Sequence, residues 1–359
     1  WSSDVCSSDL KYPMAGTNTH VVTIGVYDLR TRKTIYLRTP SVQYVAIPSQ
    51  PDAPCYFTNL AFSPDGSTIY IQELNRDQND CRLVAYDAAS GQRLAELYRE
   101  TSDKYVEPLH PIVFLPWDST QFILQSQKDG YNHLYIYNTK GECVRQLTNG
   151  PWVVLDLLGF NKTAKSVIIA SNEKHPLQRN IYAVDIKSGH RTLLDNGEGV
   201  HRARLSDSGL LFYDKWQSPT IPNAINVTRT NSTSKAAPGS TRYTLNSKHT
   251  ANILTAPDPW ADYEQPGFVS GTIKAADGVT DLYYRMVVPR ELYDQLPIDS
   301  NGNRTPLPWR GAGGAFPTIV YVYGGPHAHN VEASWHWYSR SWETYMAQKG
   351  YIVFILDNR

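Results

Sequence analysis

Residues 316–359 read FPTIVYVYGGPHAHNVEASWHWYSRSWETYMAQKGYIVFILDNR. Phe316 to Tyr323 is an uncharged run of apolar, β-branched and aromatic residues, the composition of a strand buried on both faces. Gly324-Gly325-Pro326 ends it, because proline has no N–H for a ladder and paired glycines allow a tight turn. Trp335, Tyr338, Trp342, Tyr345 and Met346 then recur at i, i+3, i+7, i+10 and i+11, which predicts one apolar face of a helix. Lys349 sits in its last turn and Gly350 follows as its stop. Tyr351 to Leu356 is a second uncharged run. Two buried strands joined by one amphipathic helix predict a right-handed βαβ unit in a parallel sheet.

Upstream the pattern changes. From Tyr12 to about Val227, two sequence words alternate. One is a strand ending in Tyr-Asp or a similar pair before a polar turn, with Asp28, Asp87, Asn138 and Asp185 at spacings of 59, 51 and 47. The other is an apolar residue before a turn, beginning at Phe62, Phe114, Phe160 and Leu205 at spacings of 52, 46 and 45. A four-stranded unit repeating at about 40–50 residues is a propeller blade. Asx and Gly suit such turns because they tolerate left-handed backbone and cap it through side-chain hydrogen bonds. The expected fold class is therefore a partial, mainly β propeller of about four to five blades over residues 11–250, followed by the start of an α/β domain. A stacked array of β-sandwiches is the structural alternative. A closed ring needs more blades, so further ones are expected before residue 11.

Residues 251–266, with few aliphatics, are expected to be a linker, and 267–359 the first part of the second domain. Phe268–Ile273 and Leu282–Val288 are expected to form an antiparallel hairpin about Ala276-Asp277-Gly278. Asn231–Ser247 is Ser/Thr-rich and loses periodicity, and Asp299–Ala315 reads as a long exposed loop. Residues 1–10, WSSDVCSSDL, have neither the basic start nor the apolar core of a signal peptide. They resemble translated adapter sequence and are read as a non-native leader.

Composition excludes several classes. Among 359 residues, 34 Lys and Arg balance 34 Asp and Glu, so no basic surplus points to nucleic acid. No run of 18 apolar residues is present to span a bilayer. The 10 histidines show no HExxH or paired metal spacing, and neither GxGxxG nor a P-loop occurs, so no metal or nucleotide cofactor is expected. Asp129-Gly130-Tyr131-Asn132-His133 has the residue types of a ligand cluster, but reads better as a hairpin turn. Four cysteines are too few for a disulfide scaffold; Cys55 and Cys81 could pair, though buried free thiols are the simpler reading.

The words YVYGGPHA, MAQKGY and LDNR closely resemble the dipeptidyl-peptidase IV branch of the prolyl oligopeptidase family of serine peptidases, in particular bacterial dipeptidyl and prolyl tripeptidyl peptidases. The likeness is dense over these forty-odd residues and sparser upstream. It implies a propeller capping an α/β-hydrolase domain that releases N-terminal di- or tripeptides after proline. It implies peptide substrates with proline near the N-terminus, a periplasmic or other extracytoplasmic location, and often a homodimer. In that family the nucleophile elbow follows the segment that LDNR opens, and the glutamates that hold the substrate amine precede YPMAG. Catalytic Ser, Asp and His are thus expected outside these residues, and the chain by itself is expected to be inactive. The loop after the third strand of such a domain contributes to the oxyanion hole. Pro326 has no N–H to donate, whereas a phenol can, and the resemblance implies that the tyrosine of this motif does so, which makes Tyr323 the candidate catalytic residue. A tyrosine closing a strand inside the core is the plain alternative. For the whole chain, the alternatives are a non-catalytic relative that binds through its propeller, or another oligopeptidase of the same family.

Overall fold

A computed structural model describes residues 22–40, 54–231, 235–236, 243–244, 250–300, 304–305, 316–325 and 329–358. Residues 1–10, most of 231–247 and most of 299–315 lie outside the described residues, and the expectations for them with them. The chain divides into two compact units, residues 1–148 and 149–359.

The first unit is a succession of antiparallel sheets. Strands β1 (Gly25–Asp28) and β2 (Lys33–Tyr36) pair with each other. Strands β3 (Pro54–Phe62), β4 (Thr68–Asn75), β5 (Asp80–Asp87) and β6 (Arg93–Thr101) form a four-stranded meander in chain order. So do β7 (Val113–Leu115), β8 (Asp118–Ser126), β9 (His133–Asn138) and β10 (Cys143–Gln146). Tyr70, Leu83, Phe122, Leu124 and Tyr135 share one core between these two sheets. Each fully buried aliphatic side chain contributes about 1.5–3 kcal/mol.

The second unit opens with two more such sheets. One runs β11 (Val154–Asn161), β12 (Ser166–Ser171), β13 (Asn180–Asp185), β14 (Arg191–Leu193). The next runs β15 (Val200–Leu205), β16 (Leu211–Ser218), β17 (Ile221–Arg229), and a small pair, β18 (Lys235–Ala236) and β19 (Tyr243–Thr244), precedes its last strand, β20 (Thr250–Thr255). Residues 251–255, expected in the linker, therefore close this sheet by pairing with β17. Among the described residues, four four-stranded antiparallel sheets and the two-stranded β1–β2 piece agree with the expected blade count. No α-helix interrupts the described residues between 22 and 231.

The turn chemistry explains the repeat. The side-chain oxygen of Asp28 accepts the amides of Arg30 and Thr31, and that of Asp87 accepts the amide of Ser90. Asn138 accepts from Lys140 and Glu142, and Asp185 from Ser188. Each Asx thus satisfies amides that a tight turn would otherwise leave bare. The Asp129–His133 segment is a hairpin turn whose histidine is buried against the Thr148 hydroxyl at 3.1 Å.

The last sheet is mixed. Strands β21 (Gly267–Lys274) and β22 (Asp281–Val288) form the expected antiparallel hairpin. Helix α1 (Arg290–Gln295) follows, then β23 (Thr318–Tyr321), helix α2 (Ser341–Gln348) and β24 (Ile352–Leu356). The order is β21-β22-β24-β23, with β23 and β24 parallel, as a βαβ unit requires.

Among the described residues β23 pairs only with β24, and Val320 and Val322 are 62% and 61% exposed. One expectation needs correction here: no single helix runs through the aromatic stripe from Trp335 to Met346. Trp335–Tyr338 is a short 3₁₀-like turn in which His336, Trp337 and Tyr338 all have positive φ, and Ser339 and Arg340 are extended. Aromatic stacking decides this: the His336 ring lies 3.8 Å from Phe268 and 3.9 Å from Trp335, contacts that a continuous helix would not make. Helix α2 then turns Glu343 and Ala347 inward, while Trp342 and Tyr345 stay exposed.

Candidate functional site

Tyr323 follows the carboxyl end of β23, where α/β sheets bind ligands. In the described residues its side chain is 66% exposed. The two glycines after it are each required for a separate reason. Gly324 has φ of +69°, which L side chains rarely adopt. At Gly325 an added Cβ would come within 2.5 Å of the Tyr323 ring. The turn thus lets the backbone pass against the phenol.

Both sides of the segment that follows are tied to residues just after β24. Asn358 Nδ2 donates to the Gly325 carbonyl at 3.2 Å. Buried Asp357 accepts the Asn330 amide at 2.6 Å and the Asn330 side chain at 3.1 Å on Oδ1, and the Val331 amide at 3.0 Å on Oδ2. Arg285, in the middle of β22 and 1% exposed, donates from Nε to the Asn330 carbonyl at 2.8 Å. Its other two nitrogens clasp the Glu343 carboxylate in a fork. Glu343 also accepts the Arg340 amide at 2.9 Å, closing the first turn of α2. The bidentate pairing and the satisfied lone pairs offset the desolvation of two buried charges.

Sequence reasoning named Tyr323 and missed this supporting set. A signal was present: Arg285 is a lone charge inside the apolar run LYYRMVVP, and a buried charge needs a partner. Its partner, Glu343, sits where the apolar stripe of the expected helix drew attention away.

A separate cavity of about 1430 Å³ lies in the second unit, lined among others by His175, Gln178, Glu198, Phe268, His336 and Trp337. Tyr323 does not line it. Burial between aromatic rings pushes His336 down to about 4, so its imidazole is neutral near pH 7. Backing the cavity, His201 is fully buried and donates from Nδ1 to Asp214 at 2.7 Å. Its Nε2 reaches the Glu198 carbonyl at 2.8 Å and Asn196 Oδ1 at 3.1 Å. Burial alone would lower its pKa, but Asp195 and Asp214 outweigh that and raise it to about 9.

Among the described residues, no group of three or more His, Cys, Asp or Glu side chains is gathered as for a metal. Cys81 is a buried free thiol, pushed up to about 12 chiefly by burial. No described helix is long and apolar enough to cross a membrane.

The chain matches the family model for the dipeptidyl peptidase IV N-terminal region over residues 3–223. It is 23% identical over 365 residues to an Aspergillus fumigatus protein named "Probable dipeptidyl peptidase 4", covering 98% of this chain and 42% of that one. A solved structure from Bacteroides ovatus, assigned as a dipeptidyl aminopeptidase IV, superposes with a TM-score of 0.79 at 38% identity, covering 98% of this chain and 46% of that one. Porphyromonas gingivalis dipeptidyl peptidase 4 superposes with a TM-score of 0.73 at 25% identity, over 97% and 43% of the two chains. The chain spans less than half the length of these relatives. With these likenesses, the successive sheets are those of a partial β-propeller, followed by the first strands of an α/β-hydrolase domain.

Proposed function

Because this chain belongs to the dipeptidyl peptidase IV family, we propose that it is the propeller-and-first-strands part of a longer serine exopeptidase that releases N-terminal di- or tripeptides after proline. In this reading the propeller restricts entry to short or unfolded peptides. Tyr323 donates its phenolic proton in a hydrogen bond to the oxyanion of the tetrahedral intermediate. Serine, aspartate and histidine come from outside residues 1–359, which contain no G-x-S-x-G. The protein acts in an extracytoplasmic compartment, and a homodimer is its expected assembly.

The observation that carries the proposal is an exposed tyrosine at the carboxyl end of a parallel strand, in a chain of this family. A donor placed there meets charge that develops only in the transition state, which is where binding raises kcat. The test is to express the longer reading frame that contains these residues and assay Gly-Pro-nitroanilide beside Ala-Ala-Pro-nitroanilide. Turnover of the first supports dipeptidyl release and turnover of the second supports tripeptidyl release. Turnover of neither by folded protein overturns the proposal. The 359-residue chain alone is expected to turn over neither.

A further inference from the structure

Tyr323 sits on a turn that has no regular structure of its own, and its phenol is in solvent. A hydrogen-bond donor in an oxyanion site works only when it is held in place before the charge develops. Core packing holds only the far side of the segment, where Val331 is buried with Leu177 and Ala333. The other described anchors are polar. Gly325 is tied to Asn358. Asn330 and Val331 are tied to Asp357 through three hydrogen bonds. Asn330 is tied again, through its carbonyl, to Arg285, which Glu343 holds in a fork.

We propose that Asp357 and Asn358 are positioning residues, with Arg285 behind them: they pin the backbone on both sides of residues 326–328 to the end of β24, and so fix where Tyr323 can present its phenol. This rests on the catalytic role proposed for Tyr323. The choice of side chains fits the task. A carboxylate is acceptor-only and meets two neighbouring amides at once, which an apolar or neutral side chain at position 357 could not do. Asp357 also continues β24 by donating its own amide to the Tyr283 carbonyl at 3.0 Å, so the anchor is part of the sheet.

The experiment is a double-mutant cycle in the longer protein. Asp357→Asn turns one acceptor oxygen into an NH₂ group that faces a backbone N–H. A displacement of about 1 Å at a reacting group costs on the order of 10²-fold. The expected result is a fall in kcat toward that size, with KM little changed. In a Tyr323→Phe background the same change should cost almost nothing further, because the group it positions is gone. Hydrogen exchange at the Asn330 and Val331 amides should speed up in Asp357→Asn. If Asp357→Asn does not fold, Asn358→Ala takes its place in the cycle, since that side chain is exposed and its loss leaves the core intact. A near-normal kcat, or a loss that is undiminished in the Tyr323→Phe background, overturns the positioning role. A silent Tyr323→Phe overturns the catalytic reading instead, which separates the two failures.

Discussion

The second unit buries charge in two places, and the two solve the problem differently. In the sheet β15-β16-β17-β20, His201 is enclosed by Asp214 and Asp195, all on strands or turns within twenty residues of one another. In the mixed sheet, Arg285 on β22 reaches Glu343 on α2 and Asn330 in the segment before it, 58 and 45 residues away. The first is a local staple inside one repeat. The second joins strand, helix and loop. The first can lose its charge within the range of ordinary buffers. A repeat unit that contacts mainly its neighbours is served by a local staple, whereas the segment between β23 and α2 is held by partners far along the chain.

Four measurements would break or sharpen this contrast. The largest effect is expected for Glu343→Leu, which leaves Arg285 buried and unpaired and should cost about 3–5 kcal/mol in chemical denaturation. The double variant Arg285→Met/Glu343→Leu should recover most of that loss, because the desolvation penalty disappears with both charges. A double variant as unstable as the single one would show that the pair does more than satisfy its own burial.

Next comes Tyr323→Phe in the longer protein. Loss of one oxyanion donor costs about 10²–10³ in kcat. Its melting temperature should stay near that of the parent, since the substitution keeps the ring and removes only the hydroxyl. A large loss of stability would instead make Tyr323 a packing residue.

The third concerns pH. His201 has its folded pKa raised from an ordinary 6.5 to about 9, so the stability it contributes is full below pH 6.5 and is lost as pH rises through about 9. Burial raises the Asp195 carboxyl as well. The expected result is a fall in denaturation free energy between pH 6.5 and 9.5 that is flattened in His201→Gln. Parallel slopes in the two proteins would remove His201 from the account.

The smallest effect is expected at Lys274–Asp281, an exposed pair at 2.8 Å across the β21–β22 hairpin. Lys274→Ala should change stability by about 0–1 kcal/mol, and less in high salt. A larger loss would show that surface charge, and not only the buried clusters, holds this hairpin.

The repeat, its period, the hairpin about Asp277 and the parallel pair around the glycine turn all follow from local patterns in the chain. These were legible because Asx side chains, glycines and β-branched runs act on their immediate neighbours: Asp277 caps its own turn by accepting the amides of Val279 and Thr280, each at 2.9 Å. Tyr323 was legible for the same reason, as the last residue before a local turn signal. What no local pattern set was that His336 would leave a helical pattern to stack on Phe268, and that Arg285 would meet Glu343 and Asn330. The physical reason is range. A turn's hydrogen bonds are fixed by residues two to four apart, whereas the cost of a buried guanidinium depends on which carboxylate the whole fold brings to it, and no periodicity in the chain records that pairing.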